Sequence, residues 1–89
     1  MLVLPADLTR AQARACLTML IQGLQSEPGP VVVVDASALG RFDSAALAVL
    51  LECRREALHL GKMVAIRAMP KRLRDLATLY GIAELLPPA

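Results

Sequence analysis

Aromatic residues are almost absent from this 89-residue chain, which has no tryptophan and only Phe42 and Tyr80 as rings. The net charge is also small, at +2. Proteins that bind nucleic acid usually carry a strong basic patch, often with aromatic side chains that stack on bases. The mild basic cluster of Lys71, Arg72 and Arg74 is more typical of the solvated face of a surface helix. We therefore predict no nucleic-acid partner.

The residues that build catalytic and metal sites are equally scarce. His59 is the only histidine, and Cys16 and Cys53 are isolated thiols with apolar neighbours. Such cysteines are typically buried and free, not paired in a disulfide or in a metal site. The glycines are too scattered for a phosphate-binding loop, and no nucleophile with a base or pair of carboxylates is assembled. We predict no catalysis, no cofactor and no metal.

No apolar run in the sequence has the length of a membrane span. The longest, Ala45 to Leu51, has seven residues, whereas a spanning helix needs about 20. The N-terminal segment MLVLPADL has no basic region before its apolar residues and soon reaches Pro5 and Asp7, unlike a signal peptide. We expect a cytoplasmic protein that is not itself inserted in a membrane.

What the chain has in abundance is apolar residues, at 56% of the total. No linker-like stretch divides it, so residues 1–89 are predicted to form a single domain. A domain of this size buries only about 60% of the surface of its unfolded chain. Part of the apolar surface must stay outside, and an exposed apolar patch is typical of a partner-binding surface.

Strands and helices are predicted to alternate along the chain, with no internal sequence repeat. Apolar residues at spacings of three and four predict a helix over Arg10 to Gln25, capped by Asp7 or Thr9. The continuous β-branched run Val31 to Val34 is typical of a strand covered on both faces. The other predicted elements are a strand at Leu2 to Leu4, a loop DASALGRFDS, a helix from Ser44 to about Leu60, a strand at Met63 to Arg67, a helix from Pro70 to near Gly81, and a short turn at Ile82 to Leu86.

This βαβαβα order predicts an α/β domain with a parallel sheet and right-handed crossovers. With so small a sheet, the helices are expected mainly on one side, and the edge strands are expected to be exposed.

The helix that starts at Ser44 has more leucine than one buried face requires. One face suits packing on the sheet and comprises Ala46, Val49, Leu50, Cys53, Ala57 and Leu60. An adjoining stripe, which comprises Leu47, Ala48, Leu51, Arg54, Arg55 and Leu58, joins apolar residues to arginines. Apolar residues with arginine at the rim are typical of a protein contact, so we predict that this stripe binds a partner.

The segment DASALGRFDSAALAVLL, together with the strand MVAIRA and the helix PKRLRDLATLYGIAELL, resembles the STAS domain over nearly the whole chain. Within that family the segments DSAAL and LATLYGIAELLP are most similar to the MlaB-like subunit of the bacterial Mla phospholipid-transport ABC complex. The resemblance implies a non-catalytic, cytoplasmic accessory subunit at the inner-membrane face. Such a subunit binds the transporter's ATPase and supports its assembly or activity.

The resemblance also implies an alternative function, that of an anti-anti-sigma factor. These factors carry a serine or threonine after the aspartate that starts this helix, here Ser44 after Asp43, and a partner anti-sigma kinase phosphorylates it. A phosphate adds about −1.5 to −2 charges, which would repel an acidic partner. Three interpretations of this pair stay open: helix capping alone, direct partner contact, or regulated phosphorylation at Ser44.

Two departures from the family pattern affect these expectations. Anti-anti-sigma factors commonly have Asp-Ser-Ser-Gly where this chain has Asp43, Ser44, Ala45 and Ala46. Alanine favours helix over glycine by about 1 kcal/mol, so the stiffer helix start favours the transport function. The usual first STAS strand is expected to be missing, which leaves a sheet edge open for a partner or for homodimerisation. A lipid or nucleotide carrier would need a cavity of roughly 300 Å³ or more, which we do not expect in so small a core.

Overall fold

Helices and strands alternate along the chain as the hydrophobic pattern predicts. A computed structural model describes all residues, 1–89. The elements are β1 (Leu2–Val3), β2 (Asp7–Leu8), α1 (Arg10–Ser26), β3 (Val31–Asp35), β4 (Arg41–Phe42), α2 (Ala45–His59), β5 (Met63–Arg67), α3 (Lys71–Leu79) and a 3₁₀ turn (Ala83–Leu85). None of the helices combines the length and hydropathy required to cross a bilayer.

The main sheet has three strands in the order β1-β3-β5, and both ladders are parallel. Val31 pairs with Met63 and Asp35 with Arg67, while the shorter β1 pairs Leu2 with Val34. The C-terminal residues extend this sheet, since Pro88 forms a parallel bridge beside β5. The predicted α/β class with a parallel sheet is therefore confirmed. Within residues 1–89 no strand precedes β1, which forms one edge of the sheet.

A second, two-stranded sheet joins the segments that lead into α1 and α2. Its strands, β2 and β4, are parallel and pair Asp7 with Arg41 and Leu8 with Phe42. The β4 segment was predicted as part of a loop, and Asp7, one of the two residues predicted as possible caps of α1, lies in β2 instead. Strands of two residues lack the alternation that identifies a strand in a sequence, so only the three-dimensional pairing defines them.

The main sheet is covered on one face only, which corrects the prediction that Val31 to Val34 is enclosed on both faces. In β3, Val32 and Val34 are fully buried, whereas Val31 is 54% exposed. The same alternation holds in β5, where Met63 is 62% exposed. Side chains alternate between the two faces of a strand, so α1 and α2 cover one face and the other stays open. The expectation of helices mainly on one side is confirmed.

Local capping explains where α1 begins and where α2 ends. Thr9 and Gln12 form a reciprocal capping box at the start of α1, so Thr9 is the cap and Asp7 is not. At the other end of α2, Gly61 has a φ of 72°, the left-handed conformation that ends many helices and that glycine adopts without strain. Pro70 precedes α3 as its cap residue, where its missing amide removes no intrahelical hydrogen bond.

The three strand-to-helix units follow one another as successive turns of a β/α superhelix, although the sequence shows no repeat. In each turn a strand of the main sheet leads, through a loop, to a helix on the covered face. The first two units, β1-β2-α1 and β3-β4-α2, each contain one strand of the two-stranded sheet, which lies between the main-sheet strand and the helix. The geometry of the fold therefore repeats, while the residues that build it differ from turn to turn.

Candidate partner-binding surface

Asp43 connects the N-termini of α1 and α2. One oxygen of its carboxylate, Oδ1, accepts a hydrogen bond from the Ala45 amide at 2.8 Å, and Oδ2 accepts one from the Arg10 amide at 3.2 Å. Both amides belong to first turns, where backbone N–H groups lack intrahelical partners and where the helix dipole favours a negative charge. Asp43 therefore satisfies two helix starts at once and fixes them relative to each other.

Ser44 plays no such structural part. It is the N-cap residue of α2 by position, but its hydroxyl makes no capping hydrogen bond and its side chain is exposed. Three interpretations were left open for Asp43 and Ser44, and of these helix capping applies to Asp43. The Ser44 hydroxyl stays available for contact with a partner or for modification.

Leu47 cannot contact a partner, which corrects its assignment to the binding stripe. Only 2% of its surface is exposed, and it packs in the hydrophobic core together with Ala46 and Leu50. The same core cluster includes Leu73 and Ala77 of α3 as well as the sheet residues, so α2 buries a wider arc than one apolar stripe. Leu47 lies inside that arc.

The remaining predicted residues do lie along one line of α2. Residues spaced by three and four share a helix face, and we name as the α2 outer stripe Ser44, Ala48, Leu51, Arg55 and Leu58. Ala48 and Arg55 are exposed, Leu58 is 46% exposed, and Leu51 is half-buried against the core. Arg54 is half-buried beside this line. The prediction of a partly apolar surface with an arginine is thus compatible with the structure for all members except Leu47.

A shallow groove runs between α1 and α2 beside the outer stripe. Its volume is about 250 Å³, and it is lined by Ala13, Arg14, Leu17, Ala45, Ala48, Val49 and Glu52. The groove exists because alanines face each other across the two helices and leave room that larger side chains would fill. Arg14 and Glu52 give it one group of each sign. Sequence reasoning missed the α1 residues, since only the packing of α1 against α2 brings them next to the stripe.

The basic cluster on α3 serves local structure. The Arg72 guanidinium lies 4.9 Å from the centre of the Phe42 ring, and Arg74 Nη1 donates a hydrogen bond to the Leu86 carbonyl at 2.8 Å. Lys71 pairs with Asp75 at 2.7 Å on the exposed side of the helix. These residues join α3 to β4 and to the C-terminal segment, so they do not form a free cationic patch.

The two cysteines are buried and unpaired with each other. Burial raises the pKa of the Cys16 thiol, and burial together with the neighbouring Cys16 raises the pKa of Cys53 to about 11. Both thiols are therefore protonated at neutral pH, a state in which they are weak nucleophiles and poor metal ligands. No three His, Cys, Asp or Glu residues lie close enough together to hold a metal ion.

Comparison with known proteins assigns the chain to a family. Residues 1–87 match the family model described as "Mlab, STAS domain", which is nearly the whole sequence. No curated protein matches the chain. The match agrees with the small α/β architecture, the parallel sheet and the three helices described above. The chain therefore belongs to the MlaB-type STAS domain family, whose members are generally non-catalytic binding domains.

Proposed function

We propose that this chain is an accessory subunit that binds the ATPase of a phospholipid-transport ABC complex and supports its assembly or activity. This function places it in the cytoplasm, at the inner-membrane face, through its partner. Membership of the MlaB-type family supports the class of partner. The observation that carries the proposal is the α2 outer stripe, where Leu58 is 46% exposed on a line that also holds Ala48 and Arg55.

The composition of the stripe suits a protein partner. Leu58 supplies apolar area, and exposed Ala48 lets a partner's backbone or a large side chain approach closely. Arg55 lies 3.6 Å from Glu52 in an exposed ion pair, and such pairs contribute little to stability. Arg55 is therefore free to exchange Glu52 for an acidic group of the partner, and arginine is enriched among residues that dominate binding energy.

The groove between α1 and α2 extends this surface. It borders the stripe at Ala48 and Ala45 and holds about 250 Å³, enough for one large apolar side chain of the partner. A second groove on the far side of α1 has a volume of about 230 Å³. Ligand-binding cavities usually have roughly 300 Å³ or more, so the volumes favour a protein contact over a carrier for lipid or nucleotide.

The proposal is tested by co-purification of this chain with the ATPase of a phospholipid-transport ABC complex from the same organism. We expect Leu58→Glu and Arg55→Glu to weaken the complex at least ten-fold, because a carboxylate would be buried without a partner or would repel an acidic one. Leu51→Glu should have the same effect, but Leu51 also packs on the core, so its folding must be checked by circular dichroism. Leu79→Glu is the matched control, since Leu79 is 78% exposed on α3. Unchanged binding in both Leu58→Glu and Arg55→Glu would contradict the proposal.

The free Ser44 hydroxyl supports the alternative function, an anti-anti-sigma factor that an anti-sigma kinase phosphorylates. Ser44 is exposed, bonds to no backbone amide as a cap, and starts the stripe. A phosphate there would change the charge of the surface without removing the cap, which Asp43 supplies. This function predicts one phosphate per chain after incubation with such a kinase and ATP, and none in Ser44→Ala. Absence of any mass shift would exclude it.

A further inference from the structure

The face of the main sheet that the helices leave uncovered, which we name the outer sheet face, is largely apolar. Its most exposed apolar side chains are Val3 at 52%, Val31 at 54% and Met63 at 62%. Val33 and Ala65 lie half-buried beside them. Single apolar residues are common on protein surfaces, whereas a contiguous apolar patch is typical of a contact with another molecule.

The outer sheet face combines unlike side chains on either side of its midline. With the parallel bridge at Pro88, the order across the sheet is β1, β3, β5 and the C-terminal residues, so the midline runs between β3 and β5. Across this line the outward residues are register neighbours, namely Val31 beside Met63, Val33 beside Ala65, and Asp35 beside Arg67. Each pair thus joins a branched to a flexible side chain, a larger to a smaller one, or an acid to a base.

Asp35 and Arg67 have no counter-ion within the chain. The ion pairs of the molecule join Met1 to Glu27, Arg55 to Glu52 and Lys71 to Asp75. Arg67 Nη1 lies 3.9 Å from the Met1 sulfur, which is a weak acceptor, and the Asp35 carboxylate accepts a hydrogen bond from the neutral Ser37 amide. The Met1 amino group, which lies beside β1, is neutralised by Glu27. One acid and one base on this face therefore stay available to a partner.

We propose that the chain forms a homodimer in which two outer sheet faces pack together about a two-fold axis that is parallel to the strands and lies above the midline. This axis places β3 of one copy over β5 of the other, so each outward residue meets the type of its own register neighbour. Asp35 of each copy then faces Arg67 of the other. Stacked sheets lie about 10 Å apart, a distance that an arginine and an aspartate side chain span together.

This pairing of charges favours a second copy over another occupant. A second copy supplies a counter-ion to both Asp35 and Arg67 at once, in the same geometry on both sides of the axis. A purely apolar partner would cover both charges without compensating them, which is costly.

The contact is small. Strands about 4.8 Å apart with a rise of about 3.3 Å per residue give four strands of five residues a face of roughly 20 Å by 17 Å. A standard interface buries about 800 Å² on each partner, so this dimer is weak, and the chain is monomeric at the low concentrations used to measure unfolding. The α2 outer stripe lies on the helical side of the sheet and stays free, so the dimer does not rest on the proposed function.

Exchange of the two charges tests the dimer by sedimentation equilibrium of the full chain between about 10 µM and 1 mM. We expect the wild type to dimerise in this range. Arg67→Glu and Asp35→Lys should each weaken the association at least ten-fold, because like charges then face each other across the axis. An equimolar mixture of the two variants should associate within about three-fold of the wild type, since one copy brings two acids and the other two bases, which restores both pairs.

The matched controls change charge away from the outer sheet face. Arg14→Glu and Glu84→Lys make the same changes in net charge at exposed residues, so each should associate like the wild type. Circular dichroism checks folding, because Asp35 also stabilises the turn at Ser37. If Asp35→Lys does not fold, Met63→Glu replaces it and should weaken the association at least ten-fold, whereas Leu79→Glu on α3 should not.

Three results would overturn the proposal. A wild type that is monomeric at the highest concentration excludes the dimer, and if Met63→Glu then also fails to bind the ATPase, the outer sheet face belongs to that partner instead. A mixture of Arg67→Glu and Asp35→Lys that associates no better than either variant alone would show that these residues do not face each other. Equal weakening by Arg14→Glu would indicate an effect of net charge, not of this contact.

Discussion

At the scale of single residues, two aspartates shape the polar loops that follow the sheet. Asp43 caps α2 and reaches the first amide of α1. Asp35, at the end of β3, accepts a hydrogen bond from the Ser37 amide at 3.0 Å and so stabilises the turn that leads toward β4. Their effects differ, because Asp43 connects two helices and Asp35 acts within one turn.

Replacement of Asp43 should destabilise the domain more than replacement of its neighbour. We expect Asp43→Ala to lower the free energy of unfolding by about 1–2 kcal/mol, the usual effect of losing an N-cap. Asn is also a good cap, so Asp43→Asn should retain most of the stability. Ser44→Ala should change it by less than about 0.5 kcal/mol, because no capping bond is lost. Urea denaturation measures all three, and a Ser44→Ala effect as large as that of Asp43→Ala would contradict the assignment of the cap.

The pH dependence of stability should carry a contribution from Asp35. The hydrogen bond from the Ser37 amide, then that from the Ser37 hydroxyl and the nearby Arg67 charge, hold the pKa of Asp35 below its ordinary value of 3.8. A lowered pKa in the folded state stabilises the fold above the unfolded pKa, and this stabilisation is lost as the pH falls through the folded value.

The wild type should therefore lose stability relative to Asp35→Asn as the pH falls from about 4 toward 2. Urea midpoints measured for both proteins at pH 7, 4, 3 and 2 test this. Glu84→Gln, an exposed residue in the 3₁₀ turn, controls for the removal of one negative charge. A constant difference between wild type and Asp35→Asn at every pH would contradict the expectation.

At the scale of elements, α3 and the C-terminal segment stabilise each other through few contacts. The buried residues of α3 are Leu73 and Ala77, one turn apart on the same face. Arg74 adds the hydrogen bond to Leu86, whose side chain is fully buried. The Leu86 carbonyl lies just before the prolines that pair beside β5, so this bond ties α3 to the segment that extends the sheet.

Removal of the Arg74 side chain should loosen the C-terminal segment selectively. We expect Arg74→Ala to lower the free energy of unfolding by about 1–3 kcal/mol, the range for hydrogen bonds to charged groups together with the acceptor left unpaired. Hydrogen exchange at the Ala89 and Ile66 amides should accelerate more than exchange in β3. Lys71→Ala, which breaks only an exposed ion pair, should have an effect below about 0.5 kcal/mol. Equal exchange rates in wild type and Arg74→Ala would contradict this account.

At the scale of the whole molecule, the helices form one layer on one face of the sheet. Val32, Val34, Val64 and Ile66 face the helices and are buried, while Val31 and Met63 face outward. The sequence run VVVV has no alternation between apolar and polar residues, a pattern typical of a strand enclosed on both faces. Valine favours strands whether or not its side chain is covered, and only the positions of α1 and α2 decide which valines are buried.

Threonine substitutions in β3 test this one-sided arrangement directly. Val32→Thr places a hydroxyl among fully buried apolar side chains and should lower the free energy of unfolding by about 1–3 kcal/mol. Val31→Thr makes the same chemical change at a residue that is 54% exposed, so its effect should stay within about 0.5 kcal/mol. Urea denaturation of the two variants gives the comparison. Equal losses would indicate that the outer face is also covered.

The sequence alone determined the α/β class, the order of the long elements and the family, because periodicity, proline and glycine act locally and the motif DSAAL is a contiguous segment. It also predicted most of the α2 outer stripe, because spacing along a helix specifies which residues share a face. Tertiary structure decided the rest. Leu47 is buried, Asp43 reaches across to α1, and the α1–α2 groove forms because side chains distant in sequence meet only when the helices pack together.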